Sequence, residues 1–277
     1  MPPPTSAKAI ARATAAIQKL YPLHLADKSW DNTGLLVDAS HATGSDTCKI
    51  LLTVDLTRSV AAEAVEKTAG LVVAYHPFIF RGLKAITPAD PQQDSLLRLI
   101  KNNVSVYCPH TAMDSARGGV NDFLADELVK HYVEESRHVI KPDKNEDGCG
   151  MGRLVTLRDA VALSLVVAAI KASLGLNHVQ VAAAANSRPD PQIRTIAICA
   201  GSGGSVFRGV SADIFYTGEL SHHEALYFVE SGSSVVACNH SNTERAFLQV
   251  LREQLRAELG DMEIEIAATD RDPYEMW

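Results

Sequence analysis

The sequence carries a histidine and a carboxylate four residues apart where a predicted strand gives way to a helix. His240 and Glu244 follow the apolar run 234–238, which has the composition of a buried strand. At this spacing the two side chains share one face of a helix. Strand ends that lead into helices are the usual location of ligand-binding groups in α/β folds. The pair therefore indicates a ligand site at this junction.

A second pair with the same spacing and a third histidine follow two other predicted strands. His110 and Asp114 come after the run 104–107, and His76 closes the run 71–74. Imidazole and carboxylate ligands without a nearby cysteine are typical of sites for Zn, Mn, Fe or Mg with open positions for water. If the three strands belong to one layer, these side chains converge. Water activated by one or two ions is a hydrolytic nucleophile, so we expect a metal-dependent hydrolase.

A further group of polar residues surrounds the start of a predicted helix. Glu219, His222 and His223 could act in catalysis, with one histidine as a proton donor near neutral pH. Ser221 and Glu224 also have the spacing of a helix capping box, in which the histidines are structural. Adjacent helical residues point in different directions, so at most one of the two imidazoles enters a site. Both interpretations stay open.

The glycine-rich segment Gly201–Ser205 follows another predicted strand. It matches neither the dinucleotide-binding fingerprint nor the P-loop, and no serine nucleophile motif of the GxSxG type occurs in the chain. A backbone nest for an anionic group and a plain tight turn remain equal alternatives.

Strand and helix patterns alternate along most of the chain, which predicts two α/β domains with mostly parallel or mixed sheets flanked by helices. We place residues 1–130 and 235–277 in the first domain and 131–234 in the second. The polar, glycine-rich stretch 141–152 marks a domain junction or an exposed loop. We expect helices over 57–68 and 159–174, among others.

Composition narrows the class of protein. The chain has 277 residues, 46% of them hydrophobic, and a net charge of −7, so we expect a soluble globular protein without affinity for duplex nucleic acid. No run approaches the roughly 18 apolar residues of a membrane span. Five scattered cysteines indicate reduced thiols rather than disulfides.

The first 21 residues lack acidic side chains and resemble a mitochondrial transit peptide in composition. The helical spacing of Ile10, Ala13, Ile17 and Tyr21 instead favours an ordinary first helix that packs on a sheet. A cytoplasmic, mitochondrial or nuclear location stays open.

Several motifs resemble, in order and spacing, those of the NGG-interacting-factor-three family, which includes bacterial Ybg-I-like proteins and is also catalogued as type-two GTP cyclohydrolase I homologues. The motifs are Trp30–Leu36, His76–Phe80, His110–Asp114, Gly201–Gly204, Thr217–His223 and His240–Glu244. The segment Thr269–Pro273 resembles the C-terminus of eukaryotic members.

The resemblance implies a two-domain α/β fold, a toroidal homohexamer and a dinuclear metal site. It implies that His76, Asp114, His240 and Glu244 bind metal, with His110 as a further ligand and Glu244 as a bridge. Tyr75 replaces the first residue of the His-His-Pro triplet of bacterial members, so one ligand of the second metal differs. We therefore expect one or two divalent ions per chain.

Two functions remain open at this point. One is a metal-dependent hydrolase that acts on a small molecule, such as a nucleotide. The other is a non-enzymatic scaffold with a vestigial metal site, which acts through a protein partner in transcription; the Tyr75 replacement favours this second reading.

Overall fold

The computed structural model describes residues 4–184 and 189–275 of the chain. The chain forms two compact units, the first made of Met1–Met113 with Leu248–Arg271 and the second of Asp114–Phe247 with Asp272–Trp277. Each unit has its own sheet and its own flanking helices. The expected fold class, two α/β domains with mixed sheets, is confirmed.

The helices are α1 (Ala7–Leu20), α2 (Arg58–Glu66), α3 (Pro91–Lys101), α4 (His110–Ser115), α5 (Val120–Val129), α6 (Leu163–Leu174), α7 (His222–Glu230), α8 (Asn242–Arg245) and α9 (Phe247–Glu258). The strands are β1 (Gly34–Val37), β2 (Ile50–Thr53), β3 (Leu71–Ala74), β4 (Ser105–Cys108), β5 (Glu134–Pro142), β6 (Gly150–Ala162), β7 (Gln180–Ala182), β8 (Gln192–Ser202), β9 (Ile214–Glu219), β10 (Ser234–Ala237) and β11 (Ile264–Ile266).

The sheet of the first unit has the order β1-β4-β3-β2-β11. Its strands are parallel except for the edge strand β1, which runs antiparallel to β4. All residues of β2, β3 and β4 are buried, as expected for parallel strands covered on both faces. The carboxyl ends of β2, β3 and β4 and the amino end of β1 consequently share one edge of the sheet.

The sheet of the second unit has the order β5-β6-β8-β9-β10-β7. Strands β8, β9 and β10 are parallel neighbours, whereas the remaining pairs are antiparallel. The sequence groups residues 235–277 with the first domain, but β10 pairs with β9 and β7 in this second sheet. Only the part with α9 and β11 returns to the first unit. The strands that precede His76, His110 and His240 therefore do not belong to one layer.

Two further boundaries differ from the sequence-based prediction. Residues Asp159–Ala162 extend strand β6 and precede helix α6, because Val161 and Ala162 pair with β8 after an irregularity in the register. Of the two alternatives for the stretch 141–152, the domain junction is wrong, because this stretch is the hairpin between β5 and β6 inside the second unit and Lys141 pairs with Met151. Residues 141–148 are exposed or partly exposed, as the loop alternative predicts.

The N-terminal segment forms the structural helix that its apolar spacing predicts. The Ser6 hydroxyl accepts a hydrogen bond from the Ala9 backbone N–H and caps α1, while Ile10, Ile17 and Tyr21 are buried. All five cysteines are free thiols, as expected. Among the described residues, no helix combines the length and apolar character needed to cross a membrane.

A buried carboxylate binds the segment after β11 to helix α2 in the first unit. Glu63 on α2 accepts hydrogen bonds from the backbone N–H groups of Ala268 and Thr269, both at 2.9 Å, and from the Thr269 hydroxyl at 2.7 Å. Burial by itself raises the pKa of Glu63, but these bonds and the nearby Lys67 outweigh it and lower the pKa to about 2 from the ordinary 4.5.

We predict that Glu63→Gln lowers the free energy of unfolding by about 1.5 to 3 kcal/mol at pH 7, because it removes the charge from these hydrogen bonds. The depressed pKa makes the stabilisation complete above the unfolded-state pKa, and protonation removes it as the pH falls from about 4.5 toward 2. Urea unfolding across this pH range measures the effect. Glu66→Gln, an exposed change on the same helix, is the control; equal losses in the two variants would refute the prediction.

Candidate functional site

In the first unit, His76 lies just beyond β3 and next to the end of β2. Its backbone N–H donates to the carbonyl of Val54, and its Nδ1 lies 2.9 Å from Oδ1 of Asp55, which follows β2. A carboxylate that accepts a hydrogen bond from Nδ1–H fixes the tautomer and leaves the Nε2 lone pair for a ligand. Asp55 therefore fixes the orientation of the His76 ring.

His110 is held in a similar way at the end of β4. Its Nδ1 lies 2.7 Å from Oδ1 of Asp31, and the other oxygen of Asp31 accepts hydrogen bonds from the backbone and hydroxyl of Thr111. Burial raises the pKa of Asp31, but the bonds with His110 and Thr111 outweigh it and lower the pKa overall. His110 has a φ of +29°, a strained value for a residue with a side chain, which these bonds hold in place.

The imidazoles of His76 and His110 lie side by side, with ring centroids 5.4 Å apart. The ring of Tyr75 packs edge-on against both, at 5.1 Å from His76 and 5.7 Å from His110. Tyr75 is buried. Tyr75 therefore contributes aromatic packing around the two candidate ligands.

Asp31 and Asp55, which form hydrogen bonds with the two histidines of this unit, have no role in the sequence-based prediction. A signal for both exists in the sequence. Asp55 ends the run 50–55, and Asp31 lies just before β1 in a motif already noted for its family resemblance. The missing information was the strand order, since it alone shows that β2 borders β3 and β1 borders β4.

In the second unit, His240 stands between two carboxylates. Its Nδ1 lies 2.9 Å from Oε1 of Glu219 at the end of β9, and its Nε2 lies 3.4 Å from Oε1 of Glu244 on α8. Glu219 therefore orients the ring as Asp55 orients His76. Glu244, whose side chain is 2% exposed, shares the Nε2 side on which an ion would bind.

Gly201 leaves the space in which the Nε2 of His240 and the carboxylate of Glu244 meet. A Cβ at this position would lie 2.9 Å from Nε2 of His240 and 2.8 Å from Oε1 of Glu244, and the φ of Gly201 is +60°. Its N–H donates to the Thr243 hydroxyl, and its carbonyl accepts from the Thr217 hydroxyl. Glycine at position 201 therefore allows the backbone to approach His240 and Glu244 closely. The backbone nest for an anionic group stays a prediction.

Asp114 lies on α4, four residues after His110, and is buried. Burial raises the pKa of the Cys199 thiol, and the negative charges of Asp114 and Glu244 raise it further. Asp114 and Glu244 both belong to the second unit.

His222 and His223 form the first residues of α7, and both are exposed. Their rings contact each other, with centroids 5.3 Å apart. The capping box is present: the Ser221 hydroxyl accepts from the Glu224 backbone N–H, and the Glu224 carboxylate accepts from the Ser221 backbone N–H. These hydrogen bonds lower the pKa of Glu224. The helix cap that the sequence predicts is therefore present. A catalytic role for either histidine stays a prediction.

Comparison with known proteins identifies relatives along nearly the whole chain. The family model described as Duf34/NIF3 (NGG1p interacting factor 3) matches residues 9–273. NGG1-interacting factor 3 of Saccharomyces cerevisiae is 44% identical over 274 residues, which cover 93% of this chain and 93% of the relative. NIF3-like protein 1 of Homo sapiens is 32% identical over 332 residues, with 90% and 88% covered.

Solved structures share the fold. A Bacillus cereus protein related to NIF3 has a TM-score of 0.81 at 19% identity, with 99% of both chains covered. Reduced HcgD from Methanocaldococcus jannaschii has a TM-score of 0.78 at 24% identity, covering 95% of this chain and 98% of HcgD.

We predict that Gly201→Ala weakens zinc binding by about tenfold or more, because the new methyl group must displace the ligand atoms of His240 and Glu244. Gly175→Ala is the matched control, since Gly175 has a φ of +66° and nothing within 4 Å of an added Cβ. Both variants should lose about 1 to 2 kcal/mol of unfolding free energy from backbone strain. Zinc titration separates them: equal zinc affinity in both variants would show that Gly201 plays no part in the site.

Proposed function

The chain belongs to the Duf34/NIF3 family, and on this basis we propose that it is a divalent-metal-binding protein whose ion serves hydrolysis. The proposed ligands are His76, His110, Asp114, His240 and Glu244. The observation that carries the proposal is the repeated anchoring of imidazoles through Nδ1, which directs Nε2 toward a ligand.

The donor chemistry fits a divalent ion. In the second unit, His240 and Glu244 offer an imidazole nitrogen and a carboxylate oxygen 3.4 Å apart. In the first unit, His76 and His110 offer two neighbouring imidazoles. Nitrogen and oxygen donors without thiolate suit Zn, Mn, Fe or Mg, and the order of affinities alone does not choose among them. The clearance that Gly201 provides beside His240 and Glu244 is the space that a bound ion needs.

The residues around the proposed ligands have two roles, and the ion has a third. Asp31, Asp55 and Glu219 orient imidazoles by accepting hydrogen bonds from Nδ1–H. One exposed histidine of α7, His222 or His223, is proposed to exchange a proton with the substrate. When bound, the ion supplies Lewis acidity, which makes water a competent nucleophile near neutral pH.

The number of ions is one or two per chain. Tyr75 is buried and packs its ring against His76 and His110, so it offers no imidazole to a second ion. We propose that this replacement weakens the second position relative to the first. The family resemblance also leads us to propose a homohexamer, which sedimentation analysis would reveal.

A second function, an interaction protein that retains the metal site, is supported by one relative. The yeast relative carries the name NGG1-interacting factor 3, which denotes a protein partner of that relative. We propose by analogy that this chain contacts a protein partner in transcription if it has no turnover of its own.

We predict that protein purified without chelator contains close to one divalent ion per chain and that added zinc raises the unfolding temperature, because binding to the native state alone stabilises it. His240→Ala should lose the ion while it keeps its fold, as checked by elemental analysis and circular dichroism. Glu219→Gln should bind zinc about tenfold more weakly, since it loosens the His240 ring.

His138→Ala, which removes an exposed histidine of β5, is the control for these changes. The metal-site proposal fails if the wild-type protein carries less than about 0.2 ions per chain and no added metal stabilises it.

We predict that metal-loaded protein hydrolyses at least one compound in a screen of GTP, other nucleotides and phosphoesters, and that Asp114→Ala abolishes this turnover. The reason is that Asp114 is a proposed ligand. His222→Ala and His223→Ala should retain the ion, and the variant that removes the proton donor should lose turnover. Turnover that survives Asp114→Ala would sink the assignment, and inactivity with every metal would leave the interaction protein as the better proposal.

A further inference from the structure

We propose that Trp30, Phe80, Arg81 and Lys84 form a recognition surface for a small planar aromatic compound that carries an anionic group. A mononucleotide is the simplest compound of this kind. The surface lies within the first unit, and its link to catalysis rests on the proposed metal site.

The aromatic part of the surface is open and held in place. Trp30 is 51% exposed and Phe80 is 48% exposed, and their ring centroids lie 6.0 Å apart at an interplanar angle of 51°. The indole N–H of Trp30 donates to Oδ2 of Asp27 at 2.9 Å, which restrains the ring although half of it faces solvent. A rigid, exposed aromatic ring loses little conformational entropy when it stacks on a flat ligand.

The surface adjoins the candidate metal ligands of this unit. The edge of Trp30 meets the ring of His110 at a centroid distance of 5.6 Å and an angle of 85°. His110 in turn lies beside His76. A ring stacked on Trp30 would therefore place its substituents next to these two imidazoles.

The loop that carries Phe80 supplies positive charge. Residues 77–89 contain Arg81 and Lys84 and no acidic residue, in a chain whose net charge is −7. Both side chains are exposed, and neither makes an ion pair with any part of the chain that the structure describes. Two unpaired cations that follow Phe80 by one and four residues in the same exposed loop suit a ligand that combines an aromatic ring with a phosphate or carboxylate.

The same loop exposes Leu83 and Ile86, so an apolar contact with a second copy of the chain is the competing occupant. Lys84 argues for the small anionic ligand, because lysine is depleted from protein interfaces. The experiment below treats the second copy as an outcome.

The test uses adenosine 5′-monophosphate, ribose 5-phosphate and adenosine as probes of the metal-free and the zinc-loaded protein. The chain has two tryptophans, so Trp277→Phe leaves Trp30 as the only indole reporter. We expect saturable quenching of Trp30 fluorescence by adenosine monophosphate in both forms. Ribose 5-phosphate, which lacks the ring, should bind about tenfold more weakly or worse in calorimetric titrations.

Variants separate the ring from the charge. Trp30→Leu should reduce the affinity for adenosine monophosphate to that for ribose 5-phosphate, whereas Trp30→Phe should keep most of the difference. Arg81→Gln and Lys84→Gln should each weaken both phosphate-bearing probes by about two- to fivefold and leave adenosine unchanged. Exposed side chains of the second unit provide the controls Tyr274→Leu and Arg158→Gln.

The proposal is overturned if ribose 5-phosphate binds as tightly as adenosine monophosphate, if Trp30→Leu leaves the affinity within about twofold, or if no probe binds at millimolar concentration. It is also overturned if Trp30→Leu changes only the sedimentation behaviour, which would assign the surface to a second copy. Because the metal-free arm needs no ion, failure of the metal site leaves this result readable. Probe binding without zinc binding would reject the proposed function and retain the recognition surface.

Discussion

The candidate site depends on one repeated interaction, a carboxylate that accepts a hydrogen bond from the Nδ1 of a histidine. Asp55 does this for His76, Asp31 for His110 and Glu219 for His240, at 2.7 to 2.9 Å. An imidazole without such a partner can rotate and exchange tautomers, so its Nε2 would be a ligand for part of the time only. With the partner, ring orientation and lone-pair direction are set before any ion arrives.

Sheet topology produces these pairs. In a parallel sheet, neighbouring strands end at the same edge, so a residue just after one strand meets a residue just after the next. This holds for Asp55 and His76 after β2 and β3, and for Glu219 and His240 at the ends of β9 and β10. Asp31 reaches His110 by a different route, because β1 is antiparallel to β4 and starts where β4 ends.

Elements whose position follows from the local residue pattern could be predicted from the sequence. Elements whose position depends on strand pairing could not. Strand β3 matches its apolar run at both ends, and the buried residues of α1 follow the helical spacing. The start of α6 and the sheet membership of β10 depend on hydrogen bonds to β8 and β9, which no local period encodes. The histidines were visible as residue types at strand ends. Asp31 and Asp55 needed the strand order, so their role emerged only from the structure.

Backbone with positive φ lies beside the candidate ligands. His110 has a φ of +29°, Asn239 before His240 has +67°, and Gly201 next to His240 has +60°. Thr68 and Asn103 also have positive φ, but they follow helices, where such values are common. Strain persists when surrounding bonds over-determine a residue, as Asp31 does for His110. Donor side chains fixed in this way lose little conformational entropy when an ion binds, because folding has already ordered them. At the proposed metal site, donor type and clearance would then discriminate among ions, through the nitrogen and oxygen donors and the space at Gly201.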